Sequence, residues 1–562
     1  MTHPVFAPEY TYIAVLGIVF GFIMAFAIGA NDVANAFGSS VGAGSLTLGW
    51  AIILGSIFEF LGSLLLGAKV ASTIRGKVLI TSYYTNSPEI LMFGDLCSLI
   101  IASTWLLVAT ALELPVSTTH SIIAAIIGFG IVAHGFESVD WNTTKDIFIS
   151  WVAAPILAGI MSSIFFKALL ELVLKSEHIF DRALNVYPLV IFVAITINLF
   201  FLLFNADNNI HIENYGHVVV LPASLGGGAV CAVLTRFCIV PMIRTRVHRE
   251  HNEHMAASME ARTNNQDDVE DPSNDDDSES MEYDDRMESE EVEQAEKSTL
   301  VATSREKTDQ VAESPVVDEE DKKGEEEEEE EEEEVHHQSP QQQQELQHSK
   351  NIALAAWDAL AERTFRQDLK SKSLHENKRA AEIWDVAFEF DQKTERLFSY
   401  LQIFTACLAS FAHGANDVAN AIAPISGILY IYEHGELVTT SPVQKWILAL
   451  GGAGIAAGFT LYGYKIIKAV GFKLTCISPA RGFCIELAAS LAVVTAAFIR
   501  IPVSTTQCLV GATCGVGIAS GGLGSVQWLF LLRVCMGWAS IFLISAVVSA
   551  GFFAFCVYSP TL

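Results

Sequence analysis

The heptapeptide Gly-Ala-Asn-Asp-Val-Ala-Asn stands at residues 29–35 and returns unchanged at 414–420, each time inside a long apolar stretch. An ionised Asp in hydrocarbon is costly unless paired, which makes Asp32 and Asp417 functional candidates by default. Asn31 and Asn35 are spaced i, i+4 and share one helical face, with Asp32 beside them; Asn416, Asp417 and Asn420 repeat the pattern. One carboxylate with amide and backbone oxygens suits a hard monovalent cation such as sodium. The flanking glycines favour a local helix break that frees carbonyls for the same ion. The same groups could instead be hydrogen-bonding glue between packed helices. Packing alone does not demand the same polar cluster twice, so the duplication favours the ion.

A second pair of motifs has different physics. LPVSTTH ends at His120 and IPVSTTQ ends at Gln507. Pro115 and Pro502 fix the chain where a helix is expected to start, and Ser and Thr cap such starts. A helix N-terminus offers unpaired N–H groups and a positive dipole end, and the hydroxyls of Ser117, Thr118 and Thr119 add donors. Ser504, Thr505 and Thr506 offer the same. Two such cradles face to face would bind a tetrahedral oxyanion without a buried Arg; ordinary capping of two short helices is the plainer alternative. Three further acids lie in apolar runs: Glu59, Glu486 and Asp95. Glu59 and Glu486 have no obvious local cation, and each could bind a coupling ion, stay protonated, meet substrate or simply pack. Asp95 is expected closer to a membrane interface.

The elements that must position these residues are membrane helices. Half of the 562 residues are hydrophobic, and mean hydropathy is +0.37. That composition suits a bilayer. The net charge of −30 is concentrated: residues 251–350 hold 36 Asp/Glu against 8 Lys/Arg, leaving the rest nearly neutral. Nothing supplies the basic footprint of a nucleic-acid surface. The ten cysteines contain no CxxC pair and read as small buried hydrophobes. The first apolar run lacks a basic leader and does not read as a signal peptide. Apolar runs near 11–30, 48–68, 91–112, 118–134, 147–173, 187–204 and 217–241 precede the acidic insert, and runs near 397–430, 444–470, 484–500, 503–520 and 527–557 follow it. This predicts about twelve segments, with 118–134 and 503–520 short enough to be re-entrant.

The expected organisation is an N-terminal membrane half over 1–249, a disordered acidic loop over 250–349, amphipathic juxtamembrane helices over 350–396 and a C-terminal membrane half over 397–562. Arg244, Arg246 and Arg249, with Lys175 and Arg182, point to a cytoplasmic insert; Lys69, Arg75 and Lys77 point the other way. A third match, GSLLLGAK at 62–69 with GFTLYGYK at 458–465, keeps the order of the other two. Seven crossings separate the GANDVAN copies, so the halves enter the membrane in opposite senses. Inverted repeats of this kind are a plan of secondary transporters, with the site at the midplane.

These residues closely resemble the inorganic phosphate transporter (PiT) family, through GANDVANAFG, FAHGANDVANAIAP, SIFEFLGSLLLGAKV, LPVSTTH, GFCIELA and IPVSTT. The resemblance covers roughly 10–245 and 395–557. It implies about twelve spans, both termini outside, a cytoplasmic central loop, inverted repeats, frequent homodimers, and phosphate carried with sodium or, in some members, protons. The positions matching the family's important acids are Asp32, Asp417, Glu59 and Glu486. Gln507 departs from the family's usual His, and Asp95 stands where animal relatives carry Glu.

The sequence therefore predicts an all-α, multi-pass plasma-membrane protein, not an enzyme, that imports inorganic phosphate by sodium symport. Sodium is the co-transported ion, and no organic cofactor is expected. Phosphate would sit at Ser117–Thr119 and Ser504–Thr506, and sodium at the Asn-Asp clusters. The rivals are proton coupling through Glu59 or Glu486, a related oxyanion such as sulfate or arsenate, a phosphate receptor, and a hydrolase built on Ser117 and His120.

Overall fold

The computed structural model describes residues 8–75, 78–205, 216–267, 369–388, 390–437, 443–498 and 503–559. The chain divides into one unit of Met1–His251 with Leu360–Leu562, and a second of Asn252–Ala359. The poly-Glu run, residues 350–368, Pro502 and the side chains of Lys69, Arg75 and Lys77 lie outside the described residues.

The first half contains α1 (Thr11–Asn31), α2 (Val33–Gly42), α3 (Leu48–Arg75), α4 (Pro88–Ala111), α5 (Thr118–His134), α6 (Trp141–Leu169), α7 (Ile179–Asn205), α8 (Gly216–Leu234) and α9 (Val240–Asp267). Short helices α10 (Leu369–Glu376) and α11 (Lys378–Asp385) follow the insert. The second half contains α12 (Gln392–His434), α13 (Lys445–Tyr462), α14 (Tyr464–Phe472), α15 (Pro479–Phe498), α16 (Thr505–Gly521) and α17 (Trp528–Tyr558). Among the described residues the nearest approach to a sheet is one isolated bridge, Leu79 with Val139.

Every apolar run read from the sequence is helical where it is described, the one near 444–470 as two helices, α13 and α14, but nine, not twelve, are long and apolar enough to cross a membrane among the described residues. The difference has physical causes. α5 and α16 have 17 residues each, or about 25 Å at the α-helical rise, short of a core about 30 Å thick. α12 has 43 residues, but His413, Asn416, Asp417 and Asn420 interrupt its apolar stretch. Helix α9 also runs on to Asp267, past the expected boundary at residue 249.

The repeated glycines set how the halves interlock. A Cβ on Gly29 would run into the backbone of Ile455, and one on Gly458 into that of Phe26, so α1 and α13 touch main chain to main chain. The equivalent contact joins α12 to α3, where Gly414 lies on the backbone of Glu59 and Gly62 on that of Phe411. Small residues at such crossings let membrane helices approach closely. Each GANDVAN helix thus packs on the glycine helix of the other half. Gly414→Ala is expected to force α12 from α3, destabilising the protein by about 1–3 kcal/mol as overpacking does. A lowered melting midpoint of the purified protein is the check; an unchanged midpoint would mean the crossing tolerates a methyl.

The helices beside the insert are tied to the membrane unit. Glu250 accepts from Arg246 Nε at 3.0 Å, Arg396 Nε at 2.7 Å and Tyr400 OH at 3.2 Å. This joins α9 to α12 across the insert. Both α10 and the amphipathic α11 lie on the protein: Trp384 Nε1 donates to Phe472 O at 3.2 Å, and Glu376 pairs with Lys468.

Candidate functional site

The two copies of GANDVAN do not share one backbone. The first breaks, with α1 ending at Asn31 and α2 starting at Val33, so Asp32 sits at the junction. The second runs unbroken through Asp417 inside α12. The expected break is therefore met once only. In both copies the glycine serves the close helix crossing described above, and α12 runs on through the motif, although Pro424 has no N–H to give the Asn420 carbonyl four residues before it.

The four motifs nevertheless converge, and they do so across the halves. Asn35 Nδ2 donates to Thr506 Oγ1 at 2.8 Å, while Asn420 Nδ2 donates to Thr118 Oγ1 and Thr119 Oγ1, each at 3.2 Å. The α16 N-terminus lies against both acids: Thr505 Oγ1 donates to Asp417 Oδ2 at 2.9 Å, and Thr506 Oγ1 to Asp32 Oδ1 at 3.0 Å. Asn420 Nδ2 also approaches Asp417 Oδ1 at 3.3 Å. All of these residues except Thr505 are essentially buried. The remaining amide oxygens, Asn35 Oδ1 and Asn420 Oδ1, are buried with no hydrogen-bond partner among the described residues. Orphaned acceptors beside carboxylates are the donor set that a hard cation takes.

The other two asparagines differ from their counterparts. Asn31 is committed to scaffolding: Nδ2 donates to Thr110 Oγ1 at 2.8 Å and Leu114 O at 3.1 Å, and Oδ1 accepts from Val116 N at 3.0 Å. It pins the segment that enters α5. Asn416 is half-buried on α12. The equivalence of Asn31 and Asn416 expected from the repeat therefore does not extend to their surroundings.

Ser117 and Ser504 cap their helices, accepting from the backbone N–H of His120 and Gln507, each at 3.3 Å. The capping alternative thus holds for the serines, while the threonines turn towards Asp32, Asp417 and Asn420. The His120 ring stacks on Trp151 at 3.6 Å between centroids, and both ring nitrogens lack a partner among the described residues. The Ser117–His120 pair required of a hydrolase is not assembled, since only the histidine backbone reaches the serine.

One central residue was missed in the sequence. His413 bridges two acids, with Nδ1 at 2.9 Å from Glu59 Oε2 and Nε2 at 2.7 Å from Asp417 Oδ2. Ser410 Oγ also donates to Glu59 Oε1 at 2.9 Å. Glu59 therefore has a cation-capable partner, supplied by the other half of the chain. Single ligand atoms of Asp32, His413 and Asp417 fall within 4.8 Å of one another. Two ionised carboxylates at that separation repel by about 3 kcal/mol at an effective dielectric constant near 20, so the site favours a positive charge between them. The signal for His413 was a mismatch between the repeats: the residue before the first GANDVAN is Ile28.

Glu486 is held by neutral donors. Its Oε1 accepts from Ser39 Oγ at 2.6 Å, Ser40 Oγ at 2.8 Å and Gln402 Nε2 at 3.2 Å, and its Oε2 from Thr405 Oγ1 at 2.7 Å. A cavity of about 50 Å³ joins this carboxyl to the centre, lined by Asn35, His413, Glu486, Ser490 and Thr505 among others. That is room for about one or two waters. Asp95 is buried on α4, fifteen residues before Thr110. This separates it from the Asn31 contact by about 22 Å along the helix.

The Phosphate transporter family model matches residues 28–549. The phosphate-repressible phosphate permease pho-4 of Neurospora crassa is 31% identical over 98% of this chain and 98% of its own. Sodium-dependent phosphate transporter 1 of Mus musculus is 29% identical over 98% of this chain and 96% of its own. A solved structure described as the sodium-dependent phosphate transporter aligns with a TM-score of 0.66 at 25% identity, covering 98% of this chain and all of that one. With the family pattern spanning nearly the whole chain and both motif pairs gathered at one buried centre, this protein belongs to the phosphate transporter family.

Proposed function

We propose that the protein imports inorganic phosphate as a sodium-coupled symporter, with two inverted repeats alternating access around Asp32 and Asp417. The observation that supports this most is the pair of orphaned amide oxygens, Asn35 Oδ1 and Asn420 Oδ1, beside two buried carboxylates. Sodium at these oxygens takes the positive place between the acids. The exchanged Asn–Thr bonds support a two-fold pairing of the repeats. The plasma membrane and a cytoplasmic central loop complete the reading.

The geometry also suggests why phosphate would follow sodium. The Thr505 and Thr506 hydroxyls point their protons at carboxylates. A cation bound to those carboxylates weakens their pull on the hydroxyls, which can then turn to an oxyanion. The cation also lowers the cost of bringing that anion into the bilayer. Phosphate is thus held by Thr118, Thr119, Thr505 and Thr506, while Ser117 and Ser504 fix the helix starts.

The test is radiolabelled phosphate uptake into proteoliposomes. A sodium gradient is expected to drive it and choline replacement to stop it. Uptake indifferent to choline but lost when the proton gradient collapses would assign coupling to protons, through Glu59 or Glu486. Uptake of sulfate in preference to phosphate would reassign the substrate. Binding without flux would make the protein a receptor.

Thr505→Val removes a donor while keeping the branched shape. Apparent phosphate affinity is expected to fall about tenfold, since a hydrogen bond to a charged group contributes roughly 1.5–3 kcal/mol. Sodium-dependent stabilisation measured without phosphate should remain. Equal loss of both would place Thr505 with the cation instead.

A further inference from the structure

Outside the central cluster a cavity of about 860 Å³ lies between α6, α16 and α17. Its walls include Trp151, Pro155, Ile160, Cys535, Trp538 and Phe542. Several wall residues are also among the exposed hydrophobics, including Val152, Ile156, Ile160 and Leu543. On membrane-spanning helices such residues face lipid, so the cavity opens sideways to the bilayer. Against the apolar wall stand two buried polar side chains, His120 at 1% exposure and Gln507 at 3%. Both His120 ring nitrogens and Gln507 Oε1 lack a hydrogen-bond partner among the described residues. They are the equivalent last residues of the two PVSTT motifs, and they line one cavity.

A buried polar atom left unpaired is costly, so a pair of them facing an apolar space calls for a polar group on whatever fills it. Among the described residues, no Lys, Arg, Asp or Glu lines the cavity. A phospholipid phosphate or a fatty-acid carboxylate would therefore meet no counter-charge. A neutral hydroxyl fits both sides: its O–H donates to Gln507 Oε1, and its oxygen accepts from a His120 N–H. The volume lies in the range of sites for one compact molecule, about 300–1,000 Å³. We propose that this cavity is a binding site for a membrane sterol, with the sterol hydroxyl held by His120 and Gln507 and the ring system against the tryptophans. His120 and Gln507 lie in the first turns of α5 and α16, next to the threonines of the central cluster. An occupant would therefore brace both helix starts.

The experiment uses the full-length protein in phosphatidylcholine vesicles and a cholesterol analogue carrying a photoreactive diazirine. Saturable labelling of α6 and α17 peptides, competed by unlabelled cholesterol, is expected. Cys535→Trp, which fills the cavity away from the central cluster, should lower labelling at least about tenfold, with sodium-driven phosphate uptake in sterol-free vesicles unchanged. Ile160→Trp serves the same purpose should the first variant fail to fold. His120→Phe with Gln507→Leu should weaken labelling while leaving the cavity open. Labelling that does not saturate, or that survives both tryptophan variants, overturns the proposal. Chain-to-chain crosslinks at Cys535 in place of sterol labelling would also overturn it, by showing that a second copy covers the cavity.

Discussion

Asp417→Asn is expected to abolish sodium-driven phosphate uptake while leaving a folded protein. In the wild-type protein this carboxylate accepts from Thr505 at 2.9 Å and lies 2.7 Å from His413 Nε2. The amide keeps the shape and one acceptor oxygen, so the helix packing around Gly414 is preserved. What it loses is the charge that holds a cation in a buried site. Loss of that charge is expected to lower sodium affinity by about two orders of magnitude, or about 3 kcal/mol. The measurement is uptake against sodium concentration in proteoliposomes, with monodisperse elution in detergent as the fold control. Asp32→Asn should behave alike, since Thr506 and the α1–α2 junction aim Asp32 at the same centre. Normal uptake with an unchanged sodium dependence in either variant would remove that acid from the proposed ion site.

The second large effect is on stability. His413→Ala leaves Glu59, fully buried, with Ser410 as its remaining close side-chain donor among the described residues. Stranding a carboxylate in this way is expected to cost about 3–5 kcal/mol. The purified variant should melt well below the parent and reach the membrane in lower amount. Adding Glu59→Gln removes the stranded charge and should recover much of the loss, because the amide still accepts from Ser410. The double variant is the decisive measurement. If it melts no higher than His413→Ala alone, the ion pair is not what stabilises the α3–α12 crossing, and the histidine acts through packing.

Much of this arrangement was legible in the sequence because a bilayer imposes strong rules. Long apolar runs must be helical, and each predicted run is helical where it is described, although the run near 444–470 divides into α13 and α14. The convergence of GANDVAN with PVSTT was legible because each motif occurs twice and in the same order. What the sequence hid depends on contacts between distant residues. Gly29 and Gly414 read as helix breakers in the sequence, and only the neighbouring backbones of Ile455 and Glu59 show them to be contact points. Asn31 looks like a ligand beside Asp32, yet its partners Thr110, Leu114 and Val116 lie about 80 residues away. Glu59 looked unpaired because His413 is 354 residues distant. The motif's polarity identified the centre, and three-dimensional packing distributed the roles within it.

The two glycine crossings carry a historical consequence. By position in the repeats, Glu59 corresponds to Ile455 and His413 to Ile28. One crossing of the duplicated protein therefore holds an acid and a histidine where the other holds two isoleucines, all four buried. From an apolar starting pair, a lone acid at the first position would have been stranded, and a lone histidine at the second would have faced an isoleucine. Divergence along that route passes through a destabilised intermediate whichever substitution comes first, unless the other falls with it. The pair therefore behaves as one inherited unit. Transplanting both residues into the other crossing, Ile455→Glu with Ile28→His, should be tolerated better than either substitution alone.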